Sequence, residues 1–185
     1  MELAEQVLAS FYEVRDVFVW VRSPAAFGGE GETRHAEGED EQVRRSRNTY
    51  FVPIERMQKH AELFARLQSQ RYTFMALFGA EAIAPFNSLR EAQVRISVSA
   101  QTLIGMVGRR SARERNEALW DRCEADIWEG MNEANGQVDH INSTLANAIE
   151  LVERICRPVL LQADRKATHK WFRTKFPRKP AKPAA

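Results

Sequence analysis

Apolar residues recur at helical spacing almost from the first residue of this chain. Leu3, Val7, Phe11, Val14, Phe18 and Val21 return every three or four positions, which predicts an amphipathic helix over residues 2–22. Leu8, Val19 and Trp20 widen the stripe, so the second half of that helix is expected to be buried on more than one side. Ser23-Pro24 ends it, because the residue before a proline is pushed out of the α region.

Residues 24–48 break the periodicity. They contain Phe27-Gly28-Gly29-Glu30-Gly31-Glu32, an acidic patch at Glu37–Glu41, and then Arg44, Arg45 and Arg47. Connections in compact domains usually run about 4–6 residues, so this pattern predicts a long loop with a short helix over Glu39–Arg47 inside it.

A second long helix is predicted from Pro53 to Phe78, striped by Ile54, Met57, Ala61, Phe64, Leu67, Phe74 and Phe78 and capped by Gly79. A third starts at Asn87 or Ser88, where Ser88 and Glu91 have capping-box spacing. It faces the core with Leu89, Ile96, Ala100, Leu103 and Val107 and ends at Gly108. Ser111 and Glu114 repeat that spacing before a fourth helix with Leu119, Trp120, Cys123, Ile127 and Trp128 on its apolar side. After a turn at Asn135-Gly136, a fifth helix carries Val138, Ile141, Leu145, Ala148, Val152, Ile155 and Val159. Their 3-4 alternation is the seam of coiled-coil-like packing, and Pro158 is expected to kink or end this helix.

No strand alternation competes with this pattern, and there is no internal repeat. The expected fold is all-α: an antiparallel bundle of four to five helices, because each amphipathic face needs another to cover it. Residues 1–164 form the expected bundle domain and 165–185 a flexible basic tail.

Charge sharpens that division. After Asp164 no acidic residue occurs, yet Arg165, Lys166, Lys170, Arg173, Lys175, Arg178, Lys179 and Lys182 all follow it. Taking those eight charges from the chain's +2 leaves −6 on residues 1–164. Trp171, Phe172 and Phe176 are interleaved with the cations, and Pro177, Pro180 and Pro183 oppose helix formation at the end. Cationic and aromatic residues together point to an anionic membrane surface, an acidic protein face or nucleic acid as partner. A solvated terminus is the bland alternative.

Signatures of chemistry are sparse. The one Glu-x-x-His spacing, Glu32 with His35, falls in the glycine-rich loop, so no di-metal carboxylate site and no cofactor is expected. Phe27–Glu32 has the glycines of a phosphate loop, but Glu30 and Glu32 would repel phosphate, and it reads as a flexible acidic turn. Arg71 interrupts an apolar helix face, where it binds an anion within the bundle, snorkels to solvent or pairs with an acid of the long loop. An enzyme would need a polar pocket around Arg71 and His60. Arg109, Arg110, Arg113 and Arg115 form a second cationic patch, suited to a nucleic-acid-associated protein or simply a solvated helix end. Trp20, Trp120 and Trp128 are expected in the core, and Cys123 and Cys156 as buried thiols.

Neither a membrane-spanning stretch of about 20 apolar residues nor a cationic leader is present, and Glu2 and Glu5 stand where such a leader would carry its charge. The expected place is the cytoplasm or the inner face of a membrane. Phe11-Tyr12-Glu13-Val14-Arg15-Asp16, Arg22-Ser23-Pro24 with Phe27-Gly28-Gly29-Glu30-Gly31, and Ile155-Cys156-Arg157-Pro158-Val159 resemble motifs of uncharacterised bacterial helical proteins. The resemblance spans residues 2–160. Many of those proteins carry a membrane-spanning helix just ahead of the matching segment, which implies a domain lying against the cytoplasmic membrane face. It implies no catalytic residue. The function expected is a non-enzymatic interaction module, with homodimer formation through the fifth helix permitted by its wide apolar face.

Overall fold

The computed structural model of the protein describes residues 2–109, 111–134 and 136–175, of which 133, 134 and 164–175 by backbone alone. It is all-helical, with no strand among the described residues. It opens with four long helices, α1 (Glu2–Val21), α2 (Glu41–Lys59), α3 (Ala61–Phe78) and α4 (Ala84–Met106). The short α5 (Ala112–Arg115), then α6 (Glu117–Ile127), the short α7 (Met131–Ala134) and α8 (His140–Lys175) follow. None of these helices is long and apolar enough to cross a membrane.

The predicted stripes become the core. Val7, Phe11, Val14, Phe18 and Val21 of α1 are buried, as are Leu89, Ile96, Ala100 and Leu103 of α4 and Ile141, Leu145, Ala148 and Val152 of α8. Helix α4 packs against α2, α6 and α8, while α1 lies against α2, α3 and α8. Phe11 meets Phe86 edge-on at 5.3 Å between ring centroids, and Phe74 meets Phe86 at 5.5 Å, which joins α1, α3 and α4 through one aromatic cluster. Cys123 and Cys156 are buried and unpaired, and desolvation raises both thiols, Cys156 to about 11.

Several boundaries differ from the sequence pattern. The second predicted helix is two helices. Helix α2 begins at Glu41, capped by the Asp40 carboxylate, which accepts from the Gln42 and Val43 amides at 2.9 and 3.3 Å. It therefore absorbs the short helix expected inside the loop, and Pro53 lies within it. Proline there removes an amide bond to the Thr49 carbonyl; Thr49 is exposed, so water can take that acceptor. His60 then breaks the chain before α3.

Helix α4 starts at Ala84 with Pro85 in its first turn, ahead of the expected Ser88 cap. Ser111 does not cap either. Its φ of 56° is left-handed, and a separate short helix precedes α6. Val19 is 48% exposed, so α1 buries a narrower face near its end than its apolar residues suggest. In α8 Pro158 neither ends nor interrupts the helix. Pro158 and Arg154, whose carbonyl loses its amide partner, are both exposed, so solvent can reach that oxygen. Of the expected Asn135-Gly136 turn, Gly136 has a φ of 68° and Asn135 lies outside the described residues.

Candidate functional site

Two arginines sit at the end of α1, fully buried, and each is saturated by the protein itself. Arg22 follows the last apolar position of α1. Its guanidinium donates to both Asp139 carboxylate oxygens at 3.1 and 2.8 Å and to Asn142 Oδ1 at 3.0 Å. It also donates to the carbonyls of Ala125, Asp126 and Trp128 at 2.9, 3.0 and 3.4 Å. The Arg22 carbonyl accepts from the Glu129 amide at 2.8 Å. One residue thus fastens the end of α1 to the end of α6 and the start of α8.

Arg56 of α2 is 0% exposed and forms the second fastener. It donates to the Glu30 carboxylate at 3.0 and 2.6 Å and to the carbonyls of Trp20, Ser23 and Ala25 at 2.8, 2.8 and 2.6 Å. Those bonds use all five of its N–H groups. Its guanidinium also lies 5.1 Å from the Trp20 ring centroid. The hydrogen bond from Arg56 holds the Glu30 carboxyl below its usual range.

The glycine-rich segment is therefore not the flexible acidic turn its composition suggests. The Gly31 amide donates to Glu55 Oε2 at 2.7 Å, Thr33 Oγ1 donates to the same oxygen at 3.0 Å, and Arg34 pairs with Glu39. Glu30 is the anion for a buried cation. The acid-from-the-loop partnership expected of Arg71 belongs to Arg56 instead. Arg71 donates to the Tyr72 hydroxyl at 2.7 Å, and His60 lies edge-on to Trp20 at 5.4 Å. These contacts do not join Arg71 and His60 into one polar pocket.

The Asp126 carboxylate, also buried, accepts from Arg95 Nε and Ser99 Oγ, both at 2.8 Å, and so joins α4 to α6. His35 stands 3.8 Å from Glu37, both well exposed, and no group of three or more potential metal-binding side chains occurs among the described residues. His140 is exposed at the start of α8.

Two further groups of cations stand out in the sequence. The C-terminal segment is one group. The backbone of α8 continues to Lys175, so Arg165, Lys166, Lys170, Trp171, Phe172, Arg173 and Lys175 lie on helical chain rather than beyond its end. The division expected at residue 164 is not a break in the helix. Phe176, Arg178, Lys179 and Lys182 lie outside the described residues.

The second group is at the corner between α4 and α6. Arg109 and Arg113 border a cavity of about 420 Å³ there, together with Tyr50 and Trp120, and Arg113 lies 5.5 Å from the Trp120 centroid. Arg115 donates to the Ser111 carbonyl at 3.3 Å, and Arg110 lies outside the described residues.

Pattern reading missed Arg22 and Arg56 because their partners are distant. Arg22 reaches residues more than 100 positions away. The signal that was present is an arginine standing beside an apolar stripe. A scan against protein-family models, a search of curated proteins and a search of solved structures each found no match.

Proposed function

We propose that this protein is a non-enzymatic interaction module: an antiparallel bundle of helices whose basic C-terminal segment engages an anionic membrane surface at the cytoplasmic face. The observation that carries this reading is the segregation of charge, eight cations and no acid after Asp164 against −6 on the residues before it. Two further considerations support it. The buried arginines of the body are consumed by internal acids and carbonyls, so they add no outward positive charge. The resemblance to bacterial proteins with a membrane-spanning helix also points toward a membrane face.

Each basic residue near anionic lipid contributes about 1 kcal/mol. Changing Lys166, Lys170, Arg173 and Lys175 to Gln should therefore weaken vesicle binding by about 4 kcal/mol, roughly a thousandfold. Sedimentation with anionic and with neutral vesicles, at about 0.05 M and about 0.5 M salt, tests this, since exposed contacts are screened over a few ångströms at high salt. Binding that survives high salt, or that the four-residue variant retains, refutes the reading. Tighter binding to single-stranded DNA than to anionic vesicles would assign the segment to nucleic acid, whose bases stack on aromatic side chains.

A further inference from the structure

The cavity at the α4–α6 corner differs from the buried arginine fasteners in one respect: its cations are unspent. Neither Arg109 nor Arg113 forms an ion pair with any described carboxylate, and the contact of Arg113 is with a ring face. One acid, Glu114, lines the cavity against these two guanidiniums. Nearby, Glu124 is held by the Tyr50 hydroxyl at 2.5 Å and Glu39 by Arg47.

The floor is aromatic. Trp120 is 7% exposed, and Tyr50 stands edge-on to it at 5.8 Å between centroids. Hydroxyls of Ser46 and Ser111 complete the lining. Ser111 has the one positive φ of a non-glycine residue among those described, 56°, and Gly108, at 83°, lies in the same segment. Left-handed backbone at a non-glycine residue is retained only where surrounding structure enforces it, and such strain clusters at ligand sites.

Two guanidiniums of this kind clamp an oxyanion through paired N–H donors, and a planar ring that displaces Arg113 from the Trp120 face would stack there in its place. A cavity of about 420 Å³ lies within the range of small-ligand sites. We propose that this cavity binds a small planar aromatic ligand bearing a phosphate, of the chemical class of nucleoside monophosphates. None of the described lining residues belongs to the C-terminal segment.

Calorimetric titration of the full chain with adenosine 5′-monophosphate tests it, with adenosine and inorganic phosphate as partial ligands. Saturable binding is expected, weaker for either partial ligand. Arg109→Ala and Arg113→Ala should each weaken it about tenfold or more, the usual effect of losing a charged hydrogen bond. Both side chains are exposed and free of ion pairs, so Arg109→Ala should keep the wild-type thermal melt, and Arg113→Ala, which loses the contact with the Trp120 ring, should lower it by no more than about 2–4 °C. The variant with four Gln in the C-terminal segment should bind the nucleotide like wild type.

A 5′-phosphorylated oligonucleotide is expected to bind no tighter than the free nucleotide, because the cavity holds one. Tighter binding, lost in Arg113→Ala, would overturn the free nucleotide as the source in favour of a strand end. Absence of saturable binding, or wild-type affinity in Arg109→Ala and Arg113→Ala, overturns the site. Inorganic phosphate binding as tightly as the nucleotide overturns the role of the aromatic floor.

Discussion

Removing the Glu30 carboxylate should destabilise the protein far more than a loop substitution ordinarily does. In Glu30→Ala, Arg56 keeps its bonds to the carbonyls of Trp20, Ser23 and Ala25 but loses both bonds to the carboxylate, and it remains buried. Breaking one side of a buried pair costs about 3–5 kcal/mol. The Glu30 side chain is 9% exposed, so water can enter the vacated space, which argues for the lower end, about 3 kcal/mol. For a chain of 185 residues, each kcal/mol lowers Tm by about 2–4 °C, so Glu30→Ala should melt about 6–12 °C below wild type.

Circular dichroism melts at neutral pH measure this directly. The double variant Glu30→Ala with Arg56→Met should recover part of the loss, because the unpaired charge is gone and an apolar side chain fills its place. A Glu30→Ala melt within about 2 °C of wild type would refute the claim that the loop carboxylate neutralises Arg56.

Two other outcomes follow from the same region. At Gly31 (φ 82°) an added Cβ would stand 2.1 Å from the Asn48 carbonyl oxygen, whereas at Gly29 (φ 88°) it would meet nothing within 4 Å. Gly29→Ala should therefore cost about 1–2 kcal/mol in urea unfolding, from backbone conformation alone, and Gly31→Ala clearly more; equal losses would show that the close approach is absent. Hydrogen bonds from Arg34 and then Arg47 hold the Glu39 carboxyl down, from 4.5 to about 2. A folded-state value below the unfolded one stabilises above pH 4.5 and is lost as pH falls toward 2, so wild-type Tm should fall through that window more steeply than that of Glu39→Gln. Parallel curves for the two proteins would remove Glu39 from the acid response.

The helices were legible because their cause is local. Each stripe repeats within a few residues, and the buried set of α1, α4 and the first half of α8 follows it closely. Boundaries were less legible. Ser88 and Ser111 have cap spacing, yet Pro85 opens α4 a turn earlier and Ser111 adopts a left-handed backbone. Capping-box spacing describes side-chain reach, whereas the surrounding packing sets the backbone angles that a cap requires. Proline was a weaker boundary signal than its chemistry suggests: Pro53 lies well inside α2 rather than in a first turn, and Pro158 does not end α8. Pro53 and Pro158 both lie inside helices, because tertiary packing of the flanking turns outweighs one missing backbone bond.

For the candidate sites, the linear chain determined where charge accumulates: the cationic end, the arginine run near residue 110 and the acids after Pro24 are matters of composition. It did not determine which charges face outward. Glu30 and Arg56 are 26 positions apart, and Arg22 and Asp139 are 117 apart, so no local pattern pairs them. Burial decides the difference. A guanidinium withdrawn from water must find acceptors within the protein, and they come from the meeting of the end of α1 with α2, the end of α6 and the start of α8; Arg109 and Arg113, left at an open corner, keep their charge for something else.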